Sequence, residues 1–250
     1  MDKEEIREKA ISQTREELQK SVEKDQLLVK AVKQLDQVSQ DFQDEVEALR
    51  DWYSLHFPEL EDEISDDEQL IKILEKYGVK RSEIKPFAEM AETSTGTVLG
   101  EEDRQLIEQT VSNLSSMREL KEDLEDYVET GASDEFPNLS GFLGPLLATR
   151  LISLAGSLDD LAKKPASTVQ MLGAEKALFR YLHGEGTPPK HGIIFRHHFV
   201  KSLPEEKRGK MARFMANKAV MAARIDNYGD EDKSKGLRKE AQEKYSELQE

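Results

Sequence analysis

Within the stretch "QMLGAEKALFRYL" (170–182), Gly173, Lys176 and Arg180 fall on one side of a helix wound at about 100° per residue, while Met171, Ala174, Leu178 and Leu182 fall on the other. The second set reads as a core stripe. The first pairs a bare glycine, which lets another backbone come close, with two cations one turn apart, suited to gripping an anion. An ordinary solvated face explains the same pattern. The neighbouring histidines, His191, His197 and His198, have no carboxylate or cysteine at ligand spacing, so no metal site is expected. There is no nucleophile elbow, phosphate-cradling loop, dinucleotide fingerprint or zinc-protease helix. Acidic pairs such as Asp66 and Asp67 read as solvated, and neither a catalytic residue nor a cofactor is expected.

Charge separates the chain into parts. Residues 1–138 hold 37 Asp+Glu against 17 Lys+Arg, residues 139–229 hold 7 against 14, and residues 230–250 hold 7 against 5. The total is a net charge of -15. A basic module joined to an acidic one is the electrostatic footprint of a polyanion partner, although chance clustering gives the same totals. Cysteine is absent, which removes disulfides, thiolate metal sites and thiol nucleophiles and fits a reducing compartment. The N-terminus, MDKEEIREKA, is charged where an export signal is apolar. The most apolar window, Gly141 to Gly156, is interrupted by Pro145 and Arg150 and falls short of the roughly 20 residues of a membrane span.

The elements that must position these groups are helical. Leu28, Val32, Leu35, Phe42, Val46, Leu49 and Tyr53 follow each other at gaps of four and three, with Ser39 in the missing slot. That is a heptad seam on a helix whose stretch from Leu28 to Tyr53 is roughly 39 Å long. Asp25 and Ser21 weaken the seam upstream, and Pro58 ends it. A second amphipathic helix is expected from Glu101 to Val128, carrying Ile107, Val111, Leu114, Met117, Leu124 and Val128. The economical solution is an antiparallel coiled-coil arm over 1–130, with a helical tip at 59–100, including helices at Gln69 to Tyr77 and Ile84 to Met90. The seam is longer than one partner helix is expected to cover. Leu28, Val32, Leu35, Phe42, Val46 and Leu49 are therefore assigned to self-association as a homodimer. A linker is placed at 131–138, a compact helical domain at 139–229 and a fraying charged tail at 230–250. Inside the domain, Ser157 caps a short helix stopped by Pro165, "HGEGTPPKHG" is a loop, and Ile193 to Phe195 is briefly extended. A last long helix begins after Pro204, with Met211, Phe214, Met215, Ala222 and Ile225 inward and Arg213, Asn217 and Arg224 outward. The fold class is all-α.

"AGSLDDLAKKPAST", "LGAEKALFR" and "PPKHGIIF", in that order, resemble the Nop domain shared by core proteins of box C/D small ribonucleoproteins and a spliceosomal tri-snRNP factor. "RGKMARFMANKAVMAARID" is similar to the family's closing helix, and "LRDWYSLHFPEL" to the signature ending its first coiled-coil helix. The resemblance covers nearly the whole chain. "GAEKALFR" favours the box C/D branch, and the absence of a long lysine-rich tail suggests an archaeal source. The implied location is cytoplasmic in an archaeon and nucleolar in a eukaryote, without a membrane. The implied role is a scaffold that binds box C/D guide RNA at a kink-turn already held by a ribosomal-protein-like kink-turn binder. In that assembly fibrillarin methylates ribose 2′-hydroxyls of the target RNA. The resemblance carries the composite surface onto Gly173, Ala174, Glu175, Lys176 and Arg180, and onto Lys190, His191 and Arg196.

Three departures stand out. The branch begins with an α/β domain that holds fibrillarin, whereas this chain starts in the coiled coil, which puts fibrillarin binding in doubt. Ser54 and Leu55 replace a more usual glycine and tryptophan. His183 and Glu185 stand where lysine is frequent. Two alternatives stay open: a splicing scaffold of the tri-snRNP type, and a coiled-coil adaptor that binds only proteins.

Overall fold

The computed structural model describes Arg7 and the residues from Lys24 to Gln249, all in helices, 3-10 turns and loops without a strand among them. The chain divides into two compact units, Gln34–Leu124 and a second that combines Met1–Lys33 with Glu125–Glu250. Among the described residues the two longest helices are α1 (Lys24–Ser54) and α5 (Glu101–Glu135). The seam position Ser21 lies outside the described residues.

In the unit Gln34–Leu124, Phe42, Val46, Leu49 and Tyr53 of α1 share a core with Ile107, Val111 and Leu114 of α5. The tip closes one end of that core through α2 (Pro58–Glu63), α3 (Asp67–Tyr77), two 3-10 turns (Arg81–Glu83 and Lys85–Phe87) and α4 (Ala88–Thr93). Leu60, Ile64, Leu70, Ile71 and Leu74 are its inner side. Arg50 ties α1 to this tip, donating to Asp67 at 2.7 Å, Glu61 at 3.0 Å and the Ile64 carbonyl at 2.9 Å. A second clasp forms around His56. Its Nδ1 bonds the Thr97 carbonyl at 2.7 Å, its Nε2 accepts from the Arg81 backbone N–H at 3.2 Å, and the Arg81 guanidinium reaches the carbonyls of His56 and Gly96. Those two ring contacts fix the neutral tautomer with the proton on Nδ1.

The assignment of the α1 seam to self-association is corrected here. Leu28, Val32, Leu35, Phe42, Val46 and Leu49 are each 4% exposed or less within the single chain. With 35 residues to the 31 of α1, α5 is long enough to serve as the partner helix. The linker expected at 131–138 is also helical: α5 continues to Glu135, and α6 (Pro137–Leu143) starts after Phe136. Gly131 is no hinge, since a Cβ there would stand 2.5 Å from Leu28 Cδ2, so the missing side chain admits α1.

The other unit is built around α12 (Glu205–Tyr228), whose Ala212, Ala216, Ala219, Ala222 and Ala223 are fully buried beside Met211 and Met215. Such small side chains permit close helix packing, and α6, α8 (Leu158–Lys163) and α9 (Ala166–Met171) lie against them, while α7 (Pro145–Ala155) packs on α6 and α8. The Asp226 carboxylate, near the end of α12, accepts from the backbone N–H groups of Asn138 and Leu139 at 2.9 and 2.8 Å. It thereby caps the first turn of α6, where Phe136 offers no side-chain cap. Asp25, the residue that interrupts the seam, is buried and accepts the Leu158 N–H at 2.9 Å, fixing the start of α8.

The tail does not fray. Ser234–Gln249 forms helix α13, which buries Leu237, Ala241, Tyr245 and Leu248 against α6 and α12. The run at Ile193–Arg196 is a 3-10 turn instead of an extended segment, and the short helix α11 (His198–Lys201) follows it. Among the described residues no helix is long and apolar enough to cross a membrane.

Candidate nucleic-acid interface

The stretch 170–182 is two helices with a break between them. Helix α9 ends at Met171, the chain turns through Leu172, Gly173 and Ala174, and α10 (Glu175–Leu182) follows. Gly173 makes the turn with φ +84°, and an added Cβ would meet Ile193 and the Leu154 side chain at 3.2 to 3.3 Å. The glycine therefore serves the chain's own packing, which corrects its reading as an open door for another backbone. Glu175 turns back as well: its Oε1 accepts the Gly173 N–H at 2.8 Å, a local cap at the start of α10. Ala174 is buried.

The loop that returns from α10 is stitched to this turn. Gly192 N–H donates to the Gln170 carbonyl and Ile193 N–H to the Leu172 carbonyl, both at 2.7 Å, while the Gln170 amide donates to the Lys190 carbonyl at 2.8 Å. Only glycine fits at 192, because a Cβ there would lie 1.9 Å from the Leu172 carbonyl oxygen. Sequence reasoning passed over Gly192, whose requirement depends on a contact between segments. The stitching sets Lys190 and His191 beside the turn that begins α10.

Helix α10 has no buried residue. The break rotates its residues away from the core, so Leu182 is 71% exposed and Phe179 62%, which corrects the placing of Leu182 in a core stripe. Lys176 and Arg180 are exposed beside Phe179, with no ion pair among the described residues. One short helix thus presents two cations and three large hydrophobic side chains, Phe179, Tyr181 and Leu182, to solvent.

Behind it, Lys190 pairs with Glu205 at 3.1 Å. The His191 ring stacks on Phe195 with centroids 4.5 Å apart, and the Arg208 guanidinium lies 5.4 Å from the Phe195 centroid. Burial first, then the Arg208 cation, pushes the His191 pKa down, so the ring is neutral near pH 7. Arg196 lines a separate hollow with Arg150, Leu147 and His198, whereas Glu175, Lys176 and Arg180 share one surface of α10 with Phe179, and the Lys190 carbonyl is bonded to Gln170 just before the turn. His197 serves the fold, since its Nδ1 accepts the Phe199 N–H at 3.1 Å and burial pushes its pKa down to about 4. No group of three metal-ligating side chains comes together among the described residues.

The family model described as "Nop: snoRNA binding domain, fibrillarin" matches residues 9–247. The chain belongs to the Nop family. An uncharacterized NOP5 family protein of Methanocaldococcus jannaschii is 37% identical over 221 residues, which are 83% of this chain and 53% of that protein. Human nucleolar protein 56 is 34% identical over 242 residues, 89% of this chain and 41% of that protein. Nucleolar protein 58 of Mycosarcoma maydis is 36% identical over 221 residues, 83% of this chain and 38% of that protein. The chain therefore spans between about two fifths and one half of these curated relatives. A chain of a solved crystal structure of a fibrillarin/Nop5p complex superposes with a TM-score of 0.59 at 26% identity, covering 98% of this chain and 78% of that one.

Proposed function

We propose that this chain is an RNA-binding scaffold of box C/D small ribonucleoproteins, recognising a kink-turn RNA only when its kink-turn protein is already bound. The observation that carries the reading is α10, whose Lys176 and Arg180 stand beside exposed Phe179 and Leu182. Two cations alone suit phosphates, and exposed apolar side chains alone suit a protein. Their mixture on one helix suits a surface that is part RNA and part protein. Folded RNA duplexes hide their base edges in a narrow groove, so contact falls on shape and backbone. In such an assembly the scaffold organises guide-directed 2′-O-methylation by fibrillarin. Gel shifts of the full chain test the reading: weak binding to kink-turn RNA alone and clear binding once the kink-turn protein is present. Equal affinity in both cases removes it.

Self-association belongs to the same proposal, through a face other than the α1 seam. Along α5, Leu106, Asn113 and Leu120 stand seven residues apart, and all three are exposed. A heptad stripe on the outer side of a helix fits a helix of a second copy. Sedimentation should show a dimer that Leu106→Glu with Leu120→Glu converts to monomer; a parent chain that is monomeric at tens of micromolar sinks this part.

A further inference from the structure

At the corner between α6 and α7 lie two adjoining hollows, of about 520 and 330 Å³. They share Leu143, Gly144, Pro145 and the His197 ring, so they are two halves of one channel. Gly144 turns the chain there with φ +85°, and a Cβ on it would meet nothing within 4 Å. The walls are cationic. Arg238 of α13 lines one half, Arg150 and Arg196 line the other, and Glu129 is the one carboxylate among the lining residues. Arg196 and Arg238 are exposed, with no ion pair among the described residues. Acids are not scarce in a chain with 51 Asp and Glu against 36 Lys and Arg, yet none closes on these two guanidinium groups. His197 adds a neutral donor. Its Nδ1 accepts the Phe199 N–H, so the proton of the neutral ring sits on Nε2. That N–H has no partner among the described residues and is not sealed from solvent. Arg196, Arg238 and His197 therefore offer donors alone, and such a channel fits an anion.

Continuity selects which anion. Ile193, at the start of the 3-10 turn Ile193–Arg196, donates to the Leu172 carbonyl and stands against Gly173 at the α9–α10 turn. Arg196, at its other end, lines the channel. At about 2 Å of rise per residue, the two ends are roughly 6 Å apart. The channel thus opens beside the turn that begins α10. We propose that it holds the sugar-phosphate backbone of an RNA strand running on from the α10 surface, which rests on the RNA-binding role proposed above. Arg196 and Arg238 grip phosphates with their two-pronged guanidinium groups, one in each half, and the His197 Nε2–H donates to a backbone oxygen between them. An acidic protein segment offers the same kind of charge. Its side chains alternate between the two faces of an extended chain, however, whereas a nucleic-acid strand carries a charge at every residue and supplies both halves of the channel.

Gel shifts of the full chain test the proposal, using kink-turn RNA with its kink-turn protein bound, either plain or extended by about ten uridines at each end in turn. At low salt the parent should bind one extended complex about tenfold tighter than the plain one. Arg196→Gln with Arg238→Gln should lose that gain, keep its affinity for the plain complex within about twofold and melt as the parent does. Lys30→Gln with Lys33→Gln, which removes equal charge from α1, should keep the gain. Lys176→Ala with Arg180→Ala should weaken both complexes and keep it too. No gain in a parent that binds the plain complex overturns the channel and leaves the α10 reading standing, whereas no binding of either complex overturns both. A gain lost equally in the Lys30→Gln/Lys33→Gln chain overturns the channel in favour of net charge alone. Lowered melting or lost plain binding in the arginine variant overturns it in favour of a structural role. A glutamate-rich peptide that binds the parent and not the arginine variant, with no gain from the uridines, overturns it by making a protein the occupant.

Discussion

Two helical surfaces in this chain read alike as patterns and meet opposite fates. The α1 seam is fully enclosed, whereas α10 buries none of its eight residues. In the first, apolar spacing is matched by a helix of sufficient length and by the tip that closes over it. In the second, a positive-φ glycine ends the preceding helix and turns an amphipathic segment outward. The contrast teaches that an apolar stripe indicates a partner without indicating which chain supplies it. Whether the backbone continues or breaks just before the stripe decides.

The largest test of this contrast is stability. Leu114→Ala, in the fully buried core of Gln34–Leu124, should cost about 2–5 kcal/mol in urea unfolding, while Phe179→Ala on α10 should stay within about 0.5 kcal/mol. Comparable losses would break the comparison.

Acid should act next. His197 has a folded pKa of about 4 against an ordinary 6.5. Its folded-state value is the lower one, so the unfolded chain binds more protons between them and stability falls as pH drops from 6.5 to about 4. The shift corresponds to at most about 3–4 kcal/mol at 1.36 kcal/mol per pKa unit. His56 titrates in the same direction, because burial lowers its pKa and protonation would remove the acceptor of the Arg81 N–H. Melting His197→Gln beside the parent across this range checks the assignment: the variant should lose less stability on acidification.

A smaller effect sharpens the role of the break. Gly173→Ala must adopt φ +84° and press on Ile193, costing about 1–2 kcal/mol, and it should disturb binding through the fold. Unchanged melting with abolished binding would restore the reading of Gly173 as a direct contact.

The sequence makes much of this legible. The all-α class, α1, the capping Ser157 and the outward Lys176 and Arg180 follow from periodicity and side-chain chemistry. What escaped depends on contacts far apart in the chain. Asp226 capping α6 and Gly192 against Leu172 have no local signature. The tail carried one: Leu237, Ala241, Tyr245 and Leu248 repeat at gaps of four and three, but its charged composition outweighed that spacing. The helical passage through 131–135 escaped because "TGAS" reads as a breaker until Leu28 is seen against Gly131.

The central claim is that α10 touches RNA and protein together. Its most direct measurement is the affinity of Lys176→Ala/Arg180→Ala for kink-turn RNA already carrying its kink-turn protein, taken over a series of salt concentrations with thermal melting alongside. The account predicts weaker binding by a chain that melts normally, with the log-log salt slope flattened by about one unit for each phosphate no longer gripped. Parent-like affinity and slope in a folded variant would contradict it and leave α10 a solvated face.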